Sequence, residues 1–193
     1  MSITTLLDVK RPSIRLTGPI DMPLCYALID EMKLLHDYYQ YRIIELEIDS
    51  PGGDGDALHH LVQFLAPWSR GDGRILKTKG LNEVCSAAAI LLSFGTLGHR
   101  TALPHSRLLY HHVRRTFPNG ASQTVSELRA TGNRLETWEK AFLDQLITHI
   151  GRLPGKDLNK DAYCKKLTRL LAQERDIDAK EACDLGLIDR VVP

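Results

Sequence analysis

The segment from Arg42 to Ile48 sets Ile43, Ile44, Leu46 and Ile48 close together and then stops at Ser50-Pro51-Gly52-Gly53. A run this apolar predicts a strand buried on both faces. Proline followed by two glycines supplies a turn and removes bulk. Directly afterwards, from Asp54 to Ala66, Leu58, Leu61, Val62 and Leu65 return at helical steps. Strand, glycine turn and helix in immediate succession constrain the chain strongly, because parallel strands need a long crossover and a helix is the usual one. An α/β domain with a largely parallel sheet follows.

The rest of the chain fits that frame. Ser13 to Gly18 alternates apolar and polar and reads as a strand, and Leu24 to Tyr38 as a helix with Leu24, Ala27, Leu28, Met32 and Leu35 on one face. Pro67 to Gly73 has the composition of a surface loop. Arg74 to Lys79 reads as a third strand, feeding Asn82-Glu83-Val84-Cys85-Ser86 and the apolar run that opens with Ala87. Arg100 to Leu103 and Leu108 to His111 read as short strands around Pro104. The longest helical pattern runs from Ser122 to Ile150, with Gly132 inside it as a bend or a close packing contact. A helix of that length in a small chain projects and packs on a neighbouring subunit. Asn159 to Leu171 is a further helix. Asp178-Ala179-Lys180-Glu181 has the capping-box pattern, Gly186 is its stop, and Ile188 to Val192 is a last strand.

A chain of 193 residues, 43% hydrophobic and 25% charged, suits one soluble domain, residues 1–193. A formal net charge of +1 gives no reason to expect a nucleic-acid or membrane partner. No apolar run reaches the roughly 18 residues of a membrane span, and Met1 to Thr5 carries no basic segment before an apolar core. Cys25, Cys85, Cys164 and Cys183 are scattered, without metal or disulfide spacing. A cytoplasmic location is the expectation.

Ser86 among small residues is a helix cap on the plainest reading. Its company suggests more. A glycine turn, a serine at a helix start and a histidine at a strand end are the parts of a nucleophilic hydrolase. Histidine titrates near neutrality and can take the proton of a serine. The oxyanion of the tetrahedral intermediate needs backbone N–H donors, which glycine and small residues allow. Ser86 then pairs with His111. His112 points to the other face of its strand and is structural. His59 and His60 point about 100° apart on a helix and make no metal site. Cys85 is a small buried neighbour, and Glu83 a solvated charge at the helix entry.

In Ser50-Pro51-Gly52-Gly53, in Ser86 before Ala87-Ala88, and in Ala102-Leu103-Pro104-His105-Ser106-Arg107 leading to His111, the chain resembles the proteolytic subunit of the Clp protease. Ile14 to Asp21 and Ala179 to Asp189 resemble the same family, so the likeness runs from Ser13 to Val192. It implies a Clp/crotonase-type α/β fold, a repeated ββα superhelix with a long projecting helix. Residues 13–118 and 175–193 would form the core, and residues 119–172 the long helix and the helical segment after it. It implies a serine endopeptidase without metal or organic cofactor, acting on peptide or unfolded protein inside a homo-oligomeric ring. Ser86 would be nucleophile, His111 general base, and the N–H groups of Gly53 and Ala87 the oxyanion hole. The family's partner is an unfoldase ATPase, and the N-terminal region that would receive it is shorter here.

The chain departs from the family in two places. A Gly-x-Ala-x-Ser arrangement precedes the family's nucleophile, where this chain has the bulkier Asn82-Glu83-Val84-Cys85-Ser86. The family's catalytic aspartate falls on Leu170, leaving Asp157, Asp161, Glu174 and Asp176 as candidate third members. Two alternatives stay open. One is an impaired pseudoprotease acting as scaffold or non-catalytic ring subunit. The other is an acyl-CoA hydratase-like enzyme, which would leave Ser86 and His111 without a joint role.

Overall fold

Three consecutive parallel strands carry the frame: β2 (Ser13–Thr17), β3 (Ile43–Ser50) and β4 (Ile75–Cys85), with β1 (Ser2–Leu6) antiparallel to β2 at one edge. The computed structural model describes residues 2–6, 12–70, 73–114, 122–152 and 159–193. The crossovers are α1 (Met22–Lys33), extended by a π-helical turn Leu34–Tyr38, and α2 (Gly55–Arg70). Then come α3 (Ala87–Ser93), β5 (Arg100–Ala102), β6 (Arg107–Leu109), α4 (Val125–Ile150), α5 (Lys160–Gln173), β7 (Asp176–Ile177), α6 (Ala179–Asp184) and β8 (Arg190–Val191). The sheet order is β1-β2-β3-β4-β5-β8, and β6 and β7 continue from the far end of β4.

Strand β3 is buried on one face only. Ile44, Leu46, Ile48 and Ser50 are fully buried, whereas Ile43, Glu45, Glu47 and Asp49 between them are not. The reason lies in the alternating carboxylates, which need water or a cation. Glu47 finds Arg15 on β2 at 2.7 Å. The covered face packs on α1 and α2 through Leu28, Met32, Leu61 and Leu65.

The stretch Pro67 to Arg70 is helical and not the expected loop, because α2 runs on through Pro67 to Arg70. Trp68 is buried there, and its carbonyl accepts the Thr96 hydroxyl at 2.7 Å, so tertiary contacts outweigh the composition. Of the rest of that loop, Gly71 and Asp72 lie outside the described residues and Gly73 forms a bend. The third strand extends to Cys85, so Glu83 sits on β4 and pairs with Arg107 of β6, in place of a helix entry. Helix α4 is continuous through Gly132, and a Cβ there would meet open space, so the glycine marks no close contact. The helix is opened by a capping box between Thr124 and Glu127. At α6 the box is only half made. Asp178 accepts the Glu181 N–H at 2.7 Å, while the Glu181 carboxylate pairs with Arg175.

His149, at the C-terminal end of α4, is buried against Phe94 and gives its Nε2 to the Gly95 carbonyl at 2.9 Å. Burial, aided by the nearby Arg100 charge, pushes its pKa down to about 4. A histidine depressed in the folded state stabilises the fold above its unfolded pKa of ~6.5, and that contribution is lost as pH falls from there to about 4. Chemical denaturation should therefore show about 3 kcal/mol of stability lost between pH 7 and pH 4 through this group. His149→Gln should flatten that slope, and an unchanged slope would mean that another group titrates there.

Candidate active site

The site is built where β3 and β4 end side by side. Ile20 forms a parallel bridge to Gly53, its N–H donating to the Gly52 carbonyl at 2.8 Å while its own carbonyl accepts the Asp54 N–H at 2.7 Å. In such a bridge the middle residue's own N–H points to the opposite side. Among the described residues the Gly53 N–H has no acceptor. The Ser50 hydroxyl, fully buried, accepts the Gly52 N–H at 3.1 Å and closes the turn.

Gly52 lies directly against the serine. A Cβ on Gly52 would stand 2.6 Å from the Ser86 Cβ and 2.9 Å from the Ala87 nitrogen. Ser86 is not a conventional helix cap. Its backbone has φ 58° and ψ −124°, and its hydroxyl makes no cap hydrogen bond. A non-glycine residue in that region costs roughly 1–3 kcal/mol and persists only where the surroundings impose it. Here they do. The Ser86 N–H is held by the Leu109 carbonyl at 2.7 Å, and its carbonyl accepts from Ile90 in the first turn of α3. The Ala87 N–H, first in the helix, has no acceptor among the described residues. The strand thus turns sharply into α3 with the Ser86 hydroxyl unengaged by the described residues.

His111 follows β6, which pairs with β4 through Cys85 and Leu109, so His111 comes to the same end of the sheet as Ser86. It lies beyond the last paired residue, in an extended segment and not in the strand itself. With Ile90 and Leu170 it lines a small apolar recess. No hydrogen bond joins the Ser86 hydroxyl to His111. The His111 ring instead brings Nδ1 within 2.6 Å of the His112 carbonyl and 3.3 Å of Arg114 Nε. A carbonyl can only accept and a guanidinium can only donate, so one nitrogen cannot serve both. Assigned to the shorter contact, the Nδ1 proton is donated to the His112 carbonyl and Nε2 keeps its lone pair.

None of the expected carboxylates among the described residues hydrogen-bonds the imidazole. Leu170 is buried in the wall of the recess. Asp157 lies outside the described residues. Asp161 sits in the first turn of α5, and Asp176 on β7 faces Arg107 at 3.6 Å. Glu174, in a left-handed conformation at the end of α5, pairs with Arg114 at 3.8 Å. A different acid comes close. Glu139 of α4 takes His112 Nδ1 at 2.8 and 2.9 Å and the Val113 N–H at 3.0 Å. In the sequence it is one charged residue of an amphipathic helix, and spacing gives no sign of it.

The remaining polar neighbours are structural. Cys85 is buried, and burial pushes its thiol pKa up, which keeps it protonated and poorly nucleophilic. His59 of α2 packs edge-on against Phe142. The described residues contain no group of three or more His, Cys, Asp or Glu able to hold a metal ion. No helix among them is long and apolar enough to cross a membrane. An open groove runs past Gly53, between Val113 and Arg114 on one side and Trp138 of α4 on the other.

The chain as a whole has counterparts among known proteins. A family model for Clp protease matches residues 2–193. The chain is 30% identical to ATP-dependent Clp protease proteolytic subunit 2 of Thermobifida fusca, over 90% of this chain and 76% of that protein. It is likewise 30% identical to proteolytic subunit 1 of the same organism, over 90% and 71%. A putative ATP-dependent Clp protease proteolytic subunit-like protein of Streptomyces coelicolor is 29% identical, over 91% and 75%. Matched along almost its whole length, and with a mixed α/β sheet and long α4 consistent with that fold, the chain belongs to the Clp protease family.

Proposed function

We propose that the chain is a serine endopeptidase in which Ser86 is the nucleophile and His111 the general base. The N–H groups of Gly53 and Ala87 form the oxyanion hole. The observation that carries the reading is the backbone of Ser86 at positive φ, with its hydroxyl unengaged among the described residues and Gly52 pressed against it. Strain of this kind gathers at reactive residues. In the proposed reaction the Ser86 proton passes to His111 Nε2 as Oγ bonds the substrate carbonyl carbon. The carbonyl oxygen becomes the oxyanion between the two N–H donors. His111 then protonates the leaving amine, and water, deprotonated in turn by His111, releases the acyl-enzyme.

The reading extends to assembly. The N-terminal half of α4 leaves Val125 and Leu128 exposed, and its buried residues are concentrated toward the other end. Such a face is suited to packing on another copy of the chain, as expected for a ring of single-domain subunits. Peptide or unfolded polypeptide would enter the groove beside Gly53. An unfoldase ATPase partner has only the words "ATP-dependent" in the relatives' names behind it, and self-assembly is the better-supported part of the reading.

Intact-mass analysis after treatment with a fluorophosphonate tests the chemistry. A single adduct on the wild type, absent from Ser86→Ala and formed at least about 100-fold more slowly in His111→Ala, is the expected result. No adduct on folded, assembled protein across mildly acidic to alkaline pH would overturn the peptidase reading. It would favour a scaffold or non-catalytic ring subunit, the role that Leu170 at the family's aspartate position would suit.

A further inference from the structure

We propose that Glu139 orients the His111 imidazole through the His112–Val113 peptide group, in the role that a triad carboxylate performs by direct contact. The inference rests on the Ser86–His111 reading above. One peptide unit carries both contacts. Its carbonyl, from His112, accepts the His111 Nδ1 proton at 2.6 Å, and its N–H, from Val113, donates to Glu139 Oε2 at 3.0 Å. A peptide unit is planar and stiff, so fixing its N–H end fixes its carbonyl end. A carboxylate on the N–H also polarises the amide toward its oxygen, and hydrogen bonds in such a chain strengthen one another.

The carboxylate is itself held from a second side. Its oxygens lie 2.8 and 2.9 Å from His112 Nδ1, and its side chain is 23% exposed. The other groups around the imidazole cannot do this work. Leu170 is apolar, and Arg114 offers only donors. Glu174 is engaged with Arg114. Among the described residues the His112 carbonyl is therefore the acceptor for Nδ1–H. With Nδ1 protonated, Nε2 is the basic nitrogen, which is the tautomer the serine needs. On proton transfer from Ser86 the ring becomes an imidazolium that keeps its Nδ1–H. Glu139 stabilises that charge across the peptide. Glu139 is a positioning residue and touches no reacting atom.

The test uses the full chain labelled with 15N-histidine, the variants Glu139→Gln and Glu139→Ala, and the fluorophosphonate reaction. In the wild type His111 should show the Nδ1–H tautomer, with its Nδ1 proton far downfield. In Glu139→Gln the amide oxygen still accepts from Val113 but the charge is gone. The Nδ1 proton should move upfield and acylation fall about 10-fold, a fraction of the roughly 10²–10⁴ that a positioned base contributes. In Glu139→Ala the Nε2–H tautomer, preferred by imidazole in water, should grow, and acylation should fall about 100-fold. An unmoved Nδ1 proton in Glu139→Gln overturns the proposal, whether or not Glu139→Ala folds. A wild type that shows the Nδ1–H signature but never acylates would sink the peptidase reading and leave the relay standing.

Discussion

Gly52→Ala should lower the rate of acylation at Ser86 by about 10³-fold or more, while a substitution at Gly73 should leave it unchanged. The two glycines share a left-handed backbone, φ 91° and 73°, so the intrinsic strain of adding a Cβ is similar, about 1–2 kcal/mol. What differs is the surroundings. At Gly73 the new methyl group meets no described residue within 4 Å. At Gly52 it meets the Cys85 carbonyl at 2.5 Å, the Ser86 Cβ at 2.6 Å and the Ala87 nitrogen at 2.9 Å, two of them backbone atoms that no rotamer change can move. The clash must be relieved by shifting either the glycine turn or the serine turn. Either shift displaces the proposed nucleophile relative to the Gly53 and Ala87 donors. Loss of one oxyanion donor alone costs roughly 10²–10³ in turnover, and here nucleophile and donor move together. Far-UV circular dichroism and assembly state should be retained in both variants. If folded Gly52→Ala acylates like the wild type, the close approach of the two turns has no part in the chemistry.

That close approach shows what the sequence could and could not reveal. Gly52, Gly53, Ser86 and His111 stood out because each is a residue type that a site of this kind needs at a strand end or helix start, and local pattern places such ends well. The fold was legible for the same reason. Helical steps and short apolar runs in β2, β3 and β4 mark their elements whatever lies around them. Where tertiary contacts decide, the pattern misleads. Pro67 to Arg70 has the composition of a loop, yet Trp68 and Ser69 are buried and the helix continues. The apolar residues of β3 suggested two buried faces, but Glu45, Glu47 and Asp49 hold the second one toward solvent and Arg15. Glu139 lay beyond sequence reasoning altogether. Its importance comes from α4 packing across the segment after β6, a relation between residues far apart in the chain. The positive φ of Ser86 was likewise invisible, since a serine before alanines reads as an ordinary cap.

Arg100→Met is expected to destabilise the fold by about 3–5 kcal/mol, the usual cost of stranding the partner of a buried ion pair. For a chain of this size that is a drop in Tm of roughly 10–15 °C. Arg100 is fully buried, and its guanidinium meets both Asp189 oxygens at 2.7 and 3.0 Å while reaching the Ser93 carbonyl at 3.2 Å. The backbone repeats the link. The Arg100 N–H donates to Asp189 Oδ2 at 2.9 Å, and the Asp189 N–H to the Arg100 carbonyl at 2.8 Å. Together these contacts fasten β5 to the C-terminal strand β8. Burial raises the Asp189 pKa, but the hydrogen bonds and charge of Arg100 outweigh it and hold the carboxyl below its ordinary value. A carboxylate depressed in this way stabilises the wild type above its unfolded pKa of ~3.9, and that contribution is lost as pH falls through the lower folded value. Removing the guanidinium takes away the charge and side-chain hydrogen bonds that oppose burial, so the folded pKa of Asp189 rises. Folded Arg100→Met then binds that proton more readily than the folded wild type, so it gains stability relative to the wild type as pH falls. The same substitution lifts one of the charges that depress His149, which acts in the same direction. The stability gap between the two proteins should therefore narrow from pH 7 to pH 4. The double substitution Arg100→Met, Asp189→Leu should recover most of the loss at pH 7, since no charge is then left stranded. A gap that stays constant with pH, or a double variant as unstable as the single one, would place the energy in the Ser93 contact and the packing of the arginine stem.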